Sequence, residues 1–310
     1  MIKTANKLKI YLYASLGLAA AAMIVATLSY FVSFDEIGYF NYGTTPFPII
    51  LNVLCILSVA GAASVFFIIP KGALDGASPT TLVTSICATP IAAISALFGG
   101  FLIVAYLQIS ASPRSFMEFF PDFSNKNSPV MILMLGGVFL IISAIYFALT
   151  WFPSLSKSGI HSLLGFAPPL AGAALIGLIY FDFHVAMNSP LKVHFQFTVL
   201  FFVLFMLYEV RTSLGKPRPR CYLALVTVAL VSSAVSSVPQ IVAYLCGIVN
   251  SKIHFIYALL SLGVLVYTAG RLIVFVSARC LLERISDQTY TEEDLFPADE
   301  DAAENEEDNI

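Results

Sequence analysis

The sequence predicts an all-α fold, that of a polytopic integral membrane protein with about eight transmembrane helices. Of the 310 residues, 58% are hydrophobic and 11% are charged, and the mean hydropathy is +0.87, whereas a soluble domain has about 25% charged residues. Apolar runs of about 20 residues, the length of a helix that crosses about 30 Å of hydrocarbon, alternate with short polar breaks. A transmembrane barrel would instead show alternating segments of about 10 residues.

The first apolar run follows Lys3, Lys7 and Lys9 and is longer than the apolar core of a secretory signal, which is about 7–15 residues. We therefore predict that it is a retained transmembrane helix. The breaks after the second and fourth runs contain Pro70 and Pro153. The predicted helices cover approximately residues 10–32, 49–69, 83–107, 130–151, 163–181 and 255–276, with two more inside 191–249.

Basic residues determine the predicted orientation, because cytoplasmic loops of membrane proteins carry an excess of lysine and arginine. One side of the eight-helix arrangement receives eleven of them, including Arg211, Lys216, Arg218 and Arg220 between helices six and seven, and the other side receives four. We expect both termini on the cytoplasmic side. Arg271 belongs to neither side, since it falls inside the eighth helix.

The chain divides into a transmembrane helical bundle, residues 1–285, and an acidic cytoplasmic tail, residues 286–310. Eleven of the nineteen acidic residues lie between Asp287 and Asp308, and so charged a segment cannot form a core, so we expect it to be disordered. Besides the lipid bilayer, a membrane or cytoplasmic protein is the expected partner of this tail, and the KPRPR loop at 216–220 is a candidate within the chain. A passive, solvated tail is the alternative.

The sequence carries no motif that predicts catalysis. No HExxH, GxSxG or Walker sequence is present, and the five cysteines show no CxxC pairing or metal-ligand spacing. We therefore expect neither an enzyme with a bound cofactor nor a nucleic-acid partner.

The seventh helix holds the most polar run of the apolar helices. Proline inside a membrane helix frees a backbone carbonyl one turn earlier, which nearby hydroxyls or a wet cavity must satisfy. The four serines of this run are spaced to share one helical face. Either they pack the helix closely against its neighbours, with hydroxyls bonded to their own backbone, or they line a substrate pathway. The candidate pathway residues are Ser232, Ser233, Ser236, Ser237, Pro239, Gln240, Tyr267 and Arg271.

Prolines recur at one place in the predicted topology. Pro90, Pro169 and Pro239 lie inside the third, fifth and seventh helices, which run in the same direction. Helices 2–3, 4–5 and 6–7 are therefore candidates for a repeated hairpin of the kind that many transporters contain. Proline is also common in membrane helices in general, which is the alternative explanation.

Arg271 is predicted to need a partner or a route to water, because an arginine at the membrane centre costs about 2.5–3.5 kcal/mol on insertion scales. Glu209, near the inner end of the sixth helix, is the candidate ion-pair partner if the sixth and eighth helices are neighbours. The alternative is that the Arg271 side chain extends to the inner interface.

A second candidate cluster lies at the opposite membrane boundary. Asp182, His184, His194 and His254 are all predicted near the outer ends of helices five, six and eight. Histidines beside a carboxylate bind transition metals or titrate near neutral pH, so this group is a candidate metal or pH-sensing site. Histidines that only border the membrane interface are the alternative.

These features favour a multi-pass permease of the plasma membrane, or the membrane subunit of a transport system, for a small molecule or lipid. No carboxylate falls in the middle of a predicted helix, so proton coupling is not expected. The alternative is a membrane scaffold or sensor, without transport, that acts through the acidic tail and the basic cytoplasmic loop.

Overall fold

The computed structural model describes residues 2–35, 38–43, 45–68, 81–111, 127–156, 158–181, 185–186 and 188–295. Within these ranges the chain forms α-helices, one short 3-10 turn and an isolated bridge between Phe34 and Phe40, with no β-strand. The predicted all-α fold is confirmed for this part of the chain.

The helices differ widely in length, from one turn to 44 residues. They are α1 (Ile2–Ser33), α2 (Phe47–Ile68), α3 (Leu82–Ala111), α4 (Asn127–Ala148), α5 (Pro153–Ser156), α6 (Gly159–Leu164), α7 (Ala167–Tyr180), α8 (Pro190–Ser213), α9 (Pro219–Ser236), α10 (Val238–Leu245) and α11 (Lys252–Leu295).

Eight segments are long and apolar enough to cross a membrane, as predicted, and the chain is a multi-pass membrane protein. Six of them correspond to the long helices α1, α2, α3, α4, α8 and α11. The other two each combine a pair of helices, α6 with α7 and α9 with α10. We call the end of the bundle that carries Lys7 and Lys216 the basic face, and the end that carries Asp35 and Asn250 the vestibule face.

The prolines at positions 90, 169 and 239 are not structurally equivalent. Pro169 falls in the first turn of α7 and Pro239 in the first turn of α10, where the missing proline N–H leaves no helical hydrogen bond unmade. Pro90 instead lies inside α3, which continues through it. In addition, α2 packs against α1 and α9, while α3 packs against α4 and α11, so the pattern does not favour three equivalent hairpins.

The span formed by α9 and α10 lies at the centre of the bundle. It is 78% buried, against 22% for α2, which therefore lies at the periphery. The helix α9 contacts α1, α2, α8 and α11. This central position explains why the serine-rich run, which is the most polar part of the apolar helices, is shielded from lipid.

Close packing joins α3 to α4 on the other side of the bundle. A Cβ atom added to Gly99 would lie 2.9 Å from the carbonyl oxygen of Gly137, and one added to Gly137 would lie 2.9 Å from that of Gly99. The two backbones therefore approach as closely as they do because neither residue has a side chain.

The last helix runs further than the sequence predicts. The sequence predicts an end of the eighth span near residue 276, whereas α11 continues to Leu295. The division into a bundle of residues 1–285 and a disordered acidic tail of residues 286–310 stays a prediction. Extending an existing helix adds one hydrogen bond per residue fixed, and leucine, arginine and glutamate in this stretch favour it. Residues 296–310, the remainder of the predicted tail, lie outside the described residues.

Candidate functional site

The central span is interrupted two-thirds of the way along its length. The helix α9 ends at Ser236 and α10 begins at Val238, and Ser237 between them has φ −94° and ψ −95°, outside the helical range. Proline at 239 cannot donate to the carbonyl of Val235, and its ring clashes with that carbonyl in a continuous helix. The helix of the central span is therefore interrupted at the serine-rich run.

The serine hydroxyls bond mainly to the backbone of their own helix. Ser232 donates to the carbonyl of Ala229 (3.1 Å) and Ser233 to that of Leu230 (2.9 Å). Ser237 makes a long contact to the carbonyl of Ala234 (3.5 Å). These bonds fit the packing alternative, in which each hydroxyl is satisfied locally.

Two of the serines also face other parts of the bundle. The hydroxyl of Ser236 lies 2.7 Å from that of Thr198 on α8. Ser232 lines a lateral cavity of about 210 Å³ between α2, α8 and α9, together with Cys55 and His194. The serine run therefore does not present all its hydroxyls to a single space.

Gln240 follows the interruption and is buried, with 2% of its surface exposed. Its amide nitrogen donates to the hydroxyl of Tyr30 on α1 (3.2 Å) and to the carbonyl of Leu191 on α8 (3.4 Å). Its amide oxygen Oε1 is buried and has no hydrogen-bond partner among the described residues. An unpaired buried acceptor costs about 1–3 kcal/mol, so this position favours a donor supplied by a solute or water.

A vestibule of about 660 Å³ opens at the vestibule face. Its wall includes Leu191, whose carbonyl accepts the hydrogen bond from Gln240. Asp35, Asn250 and Ser251 give the rim polar groups. Leu191 thus links the two features, since it lines the vestibule and its carbonyl accepts the hydrogen bond from the amide nitrogen of Gln240.

Toward the basic face, Arg271 on α11 and Glu209 on α8 are in direct contact through Nη2 and Oε1. Their side chains are 3% and 12% exposed, respectively. Arg271 also donates from Nε to the hydroxyl of Tyr222 on α9 (3.1 Å). The structure thus brings the arginine into contact with the carboxylate that the sequence offered as its partner.

Aromatic rings surround this ion pair. Tyr267 packs edge-on against Phe147, with ring centroids 5.0 Å apart, and Tyr146 stacks on His161 at 4.4 Å. Tyr146 and Tyr267 are both close enough to interact electrostatically with the pair. We call Glu209, Arg271 and the side chains of Tyr146, His161, Tyr222 and Tyr267 the charged cluster.

The charged cluster retains unused hydrogen-bonding capacity. Nη1 of Arg271, Oε2 of Glu209 and both ring nitrogens of His161 are buried without a partner among the described residues. Buried polar atoms normally form hydrogen bonds, either with other protein groups or with bound water. The unpaired atoms of the charged cluster are therefore positions where water would bind.

The predicted pathway residues fall at two depths. Tyr222 in the charged cluster and Gln240 are 18 residues apart on the central span, which corresponds to about 27 Å along it. The vestibule, the lateral cavity and a third cavity of about 30 Å³ that includes Thr198 and Ser261 do not have Gln240 or Arg271 among their lining residues. The structure therefore brings Tyr267 to Arg271, but not Arg271 to the serine run.

Of the four residues predicted as a metal or pH site, Asp182 and His184 lie outside the described residues. The ring of His194 packs near the ring of Phe40, with the two ring centroids 6.1 Å apart. The Nδ1 atom of His254 lies 2.9 Å from the hydroxyl of Ser251. No group of three or more histidine, cysteine or acidic side chains that could hold a metal occurs among the described residues. The four-residue site stays a prediction.

Sequence reasoning missed several buried groups. Lys192, counted as a basic residue at the outer boundary, is 1% exposed in the first turn of α8. Tyr222 and Thr198 were not expected to contact Arg271 and Ser236. One signal was available: Lys192 lies two residues after Pro190, and Ser189 with Pro190 is a typical helix start, so Lys192 falls on the first helical turn.

Comparison of the chain with family models, with curated proteins and with solved structures gives no match. The fold and the site therefore define a class, a multi-pass helical membrane protein with an interrupted central span, and no family.

Proposed function

We propose that this protein is a permease, or the membrane subunit of a transport system, for a small polar molecule that enters from the vestibule. The observation that carries the proposal is the interruption at Ser237, after which the buried oxygen of Gln240 has no partner among the described residues. The amide nitrogen of the same side chain bonds to Leu191, which lines the vestibule. Interrupted helices are where many transporters bind their substrates, because free backbone and side-chain groups there replace the water of the solute.

Gln240 is the proposed substrate contact. Its Oε1 would accept a hydrogen bond from an N–H or O–H of the solute, while its amide nitrogen stays bonded to Tyr30 and Leu191. The lining of the lateral cavity is largely apolar, with residues such as Val228 and Val231. A polar solute would therefore favour the vestibule, whose rim carries Asp35 and Asn250.

The charged cluster is the proposed barrier at the other end of the pathway. Separating Arg271 from Glu209 in a low-dielectric interior is costly unless water or solute replaces the contact. Access from the basic face would therefore open only when the α8–α11 contact is rearranged. Because Glu209 is already paired, we propose movement driven by the solute gradient or by a partner subunit, without proton coupling.

We further propose that the basic face is cytoplasmic and that the protein resides in the plasma membrane with both termini inside. Lys216 and Arg218 in the turn between α8 and α9 are exposed at this face. The excess of basic residues on cytoplasmic loops supports this orientation.

A scaffold or sensor role is the second candidate. One observation favours it: α8 and α11 both end at the basic face, so the acidic sequence that follows Leu281 emerges on the same side as the exposed Lys216 and Arg218. Deleting the chain after Arg284 tests this role. A scaffold would lose its partners while the bundle keeps its thermal stability, whereas a permease would keep binding its solute.

Thermal stabilisation of the purified protein tests the proposed function. Free amino acids, nucleosides and monosaccharides are added separately, and the melting temperature is measured for the wild type, Gln240→Leu and the control Gln108→Leu. Gln108 is exposed near the end of α3 at the same face. We expect at least one probe to stabilise the wild type and Q108L but not Q240L. If every probe leaves the wild type unchanged, or stabilises Q240L equally, the proposal is wrong.

A further inference from the structure

A lateral groove of about 310 Å³ lies between α1, α2 and α9, away from the vestibule. Its lining begins at Lys7 and continues along α1 through Ile10 and Leu18, opposite Gly61 on α2. Ile10 is 69% exposed, and α2 is the least buried of the eight spans. The groove therefore opens sideways, toward the lipid.

The length of this groove matches one leaflet of a bilayer. Lys7 and Leu18 are eleven residues apart on a continuous helix, which corresponds to about 16 Å. The hydrocarbon core of a bilayer is about 30 Å thick, so one leaflet contributes about 15 Å. The groove thus extends from the basic face to about the middle of the membrane.

Hydroxyl groups on all three helices of the groove wall bond to other groups of the protein. Tyr11 donates to the hydroxyl of Thr227 (2.8 Å), Ser58 to the carbonyl of Cys55 (2.7 Å) and Ser64 to that of Gly61 (2.6 Å). The wall therefore offers an apolar surface to its occupant. At Gly61 the space is open, since an added Cβ would have no heavy atom within 4 Å.

The lining of the groove includes one charged side chain, that of Lys7. Lys7 is exposed at the basic face. The carboxylates among the described side chains are Asp35, at the vestibule face, and Glu209, which contacts Arg271. Neither of these two neutralises Lys7, and Lys216 adds to the positive charge of the same face. A ligand with an anionic head at the interface fits this arrangement.

We propose that this groove is a binding site for an anionic phospholipid of the leaflet at the basic face. The lipid phosphate contacts Lys7, and one acyl chain follows α1 from Ile10 to Leu18 across the open space at Gly61. The chain need not break the bonds of Tyr11, Ser58 and Ser64, whose hydroxyls have partners within the protein. This site is separate from the vestibule, so the proposal does not depend on the proposed transport function.

Native mass spectrometry of the full-length protein tests the proposal, with phosphatidylglycerol and phosphatidylcholine of identical acyl chains as probes. The headgroup variant is Lys7→Gln and its matched control is Lys9→Gln, since Lys9 is exposed on the same helix but does not line the groove. The acyl-chain variant is Gly61→Leu. Its control is Gly17→Leu, at an exposed position on α1 that also has no neighbouring atom within 4 Å.

We expect the wild type to retain phosphatidylglycerol in preference to phosphatidylcholine. K7Q should reduce that preference about fivefold, the factor that corresponds to about 1 kcal/mol for one lysine at an anionic surface. G61L should lose both lipids, while K9Q and G17L behave as the wild type, and melting temperatures confirm that all variants are folded. Equal retention of the two lipids by the wild type, an equal loss in K9Q, or unchanged binding by G61L would overturn the proposal. A dimer that carries neither lipid would assign the groove to a second copy of the chain instead.

Discussion

Arg271 and Glu209 are in direct contact between α11 and α8, and both side chains are almost removed from solvent. Tyr222 on α9 bonds to the same guanidinium at 3.1 Å. Three helices are therefore held together by one arginine at the basic-face end of the bundle. Since a buried charge is tolerated only with a partner, the stability of this end depends on keeping the two charges together.

Removing one partner of this pair should lower the stability of the bundle more than removing both. We expect Arg271→Ala to destabilise the bundle by about 3–5 kcal/mol, because it leaves the Glu209 carboxylate buried without a counter-charge. The double variant Arg271→Met with Glu209→Leu should recover most of that loss. Melting temperatures in detergent check the order of the three proteins. If R271A has the same melting temperature as the wild type, the prediction is contradicted, and Arg271 would instead reach water in solution.

The contact between α3 and α4 should not tolerate side chains at its centre. Gly99→Leu should lower the melting temperature, at a cost of about 1–3 kcal/mol for overpacking, because the added atoms meet the backbone of Gly137. Gly100→Leu is the matched control, since a Cβ at Gly100 has no atom within 4 Å. Equal melting temperatures for the two variants would mean that α3 and α4 do not approach closely.

The sequence predicts the number and position of the spans well because a membrane requires apolar segments of a fixed length. It also pairs Glu209 with Arg271, since each lies near the same end of its helix. It does not predict that Lys192 is buried or that Ser236 contacts Thr198. Membrane helices are apolar on every side, so their sequences do not show which face turns inward, and this is decided by packing against neighbours.

The interruption of the central span illustrates the same limit. Pro239 marks a weak point in the helix, but many membrane helices continue through proline, as α3 does at Pro90. Whether the helix ends depends on what can satisfy the freed groups. Here Tyr30 and Leu191, from two other helices, hold the Gln240 side chain directly after the interruption.

The proposed orientation predicts which loops react from outside the cell. In a protein whose five cysteines are replaced, Asn250→Cys should react with a membrane-impermeant thiol reagent added to intact cells. Lys216→Cys should react only after permeabilisation. Both positions are exposed, at opposite faces of the bundle. The reverse pattern would place the basic face outside and contradict the proposed topology.

The reactivity of a cysteine at position 240 tests the proposed pathway most directly. Gln240 is 2% exposed, so a Gln240→Cys side chain can react with a small water-soluble thiol reagent only if the vestibule opens toward it. The control is Leu230→Cys, which is 1% exposed on the same span. Both are made in the cysteine-free protein, reconstituted in bilayers. We predict that the cysteine at 240 reacts at least about tenfold faster, the factor that 1.4 kcal/mol of easier opening would give. Equal, slow reaction of both cysteines would contradict a solute pathway at Gln240.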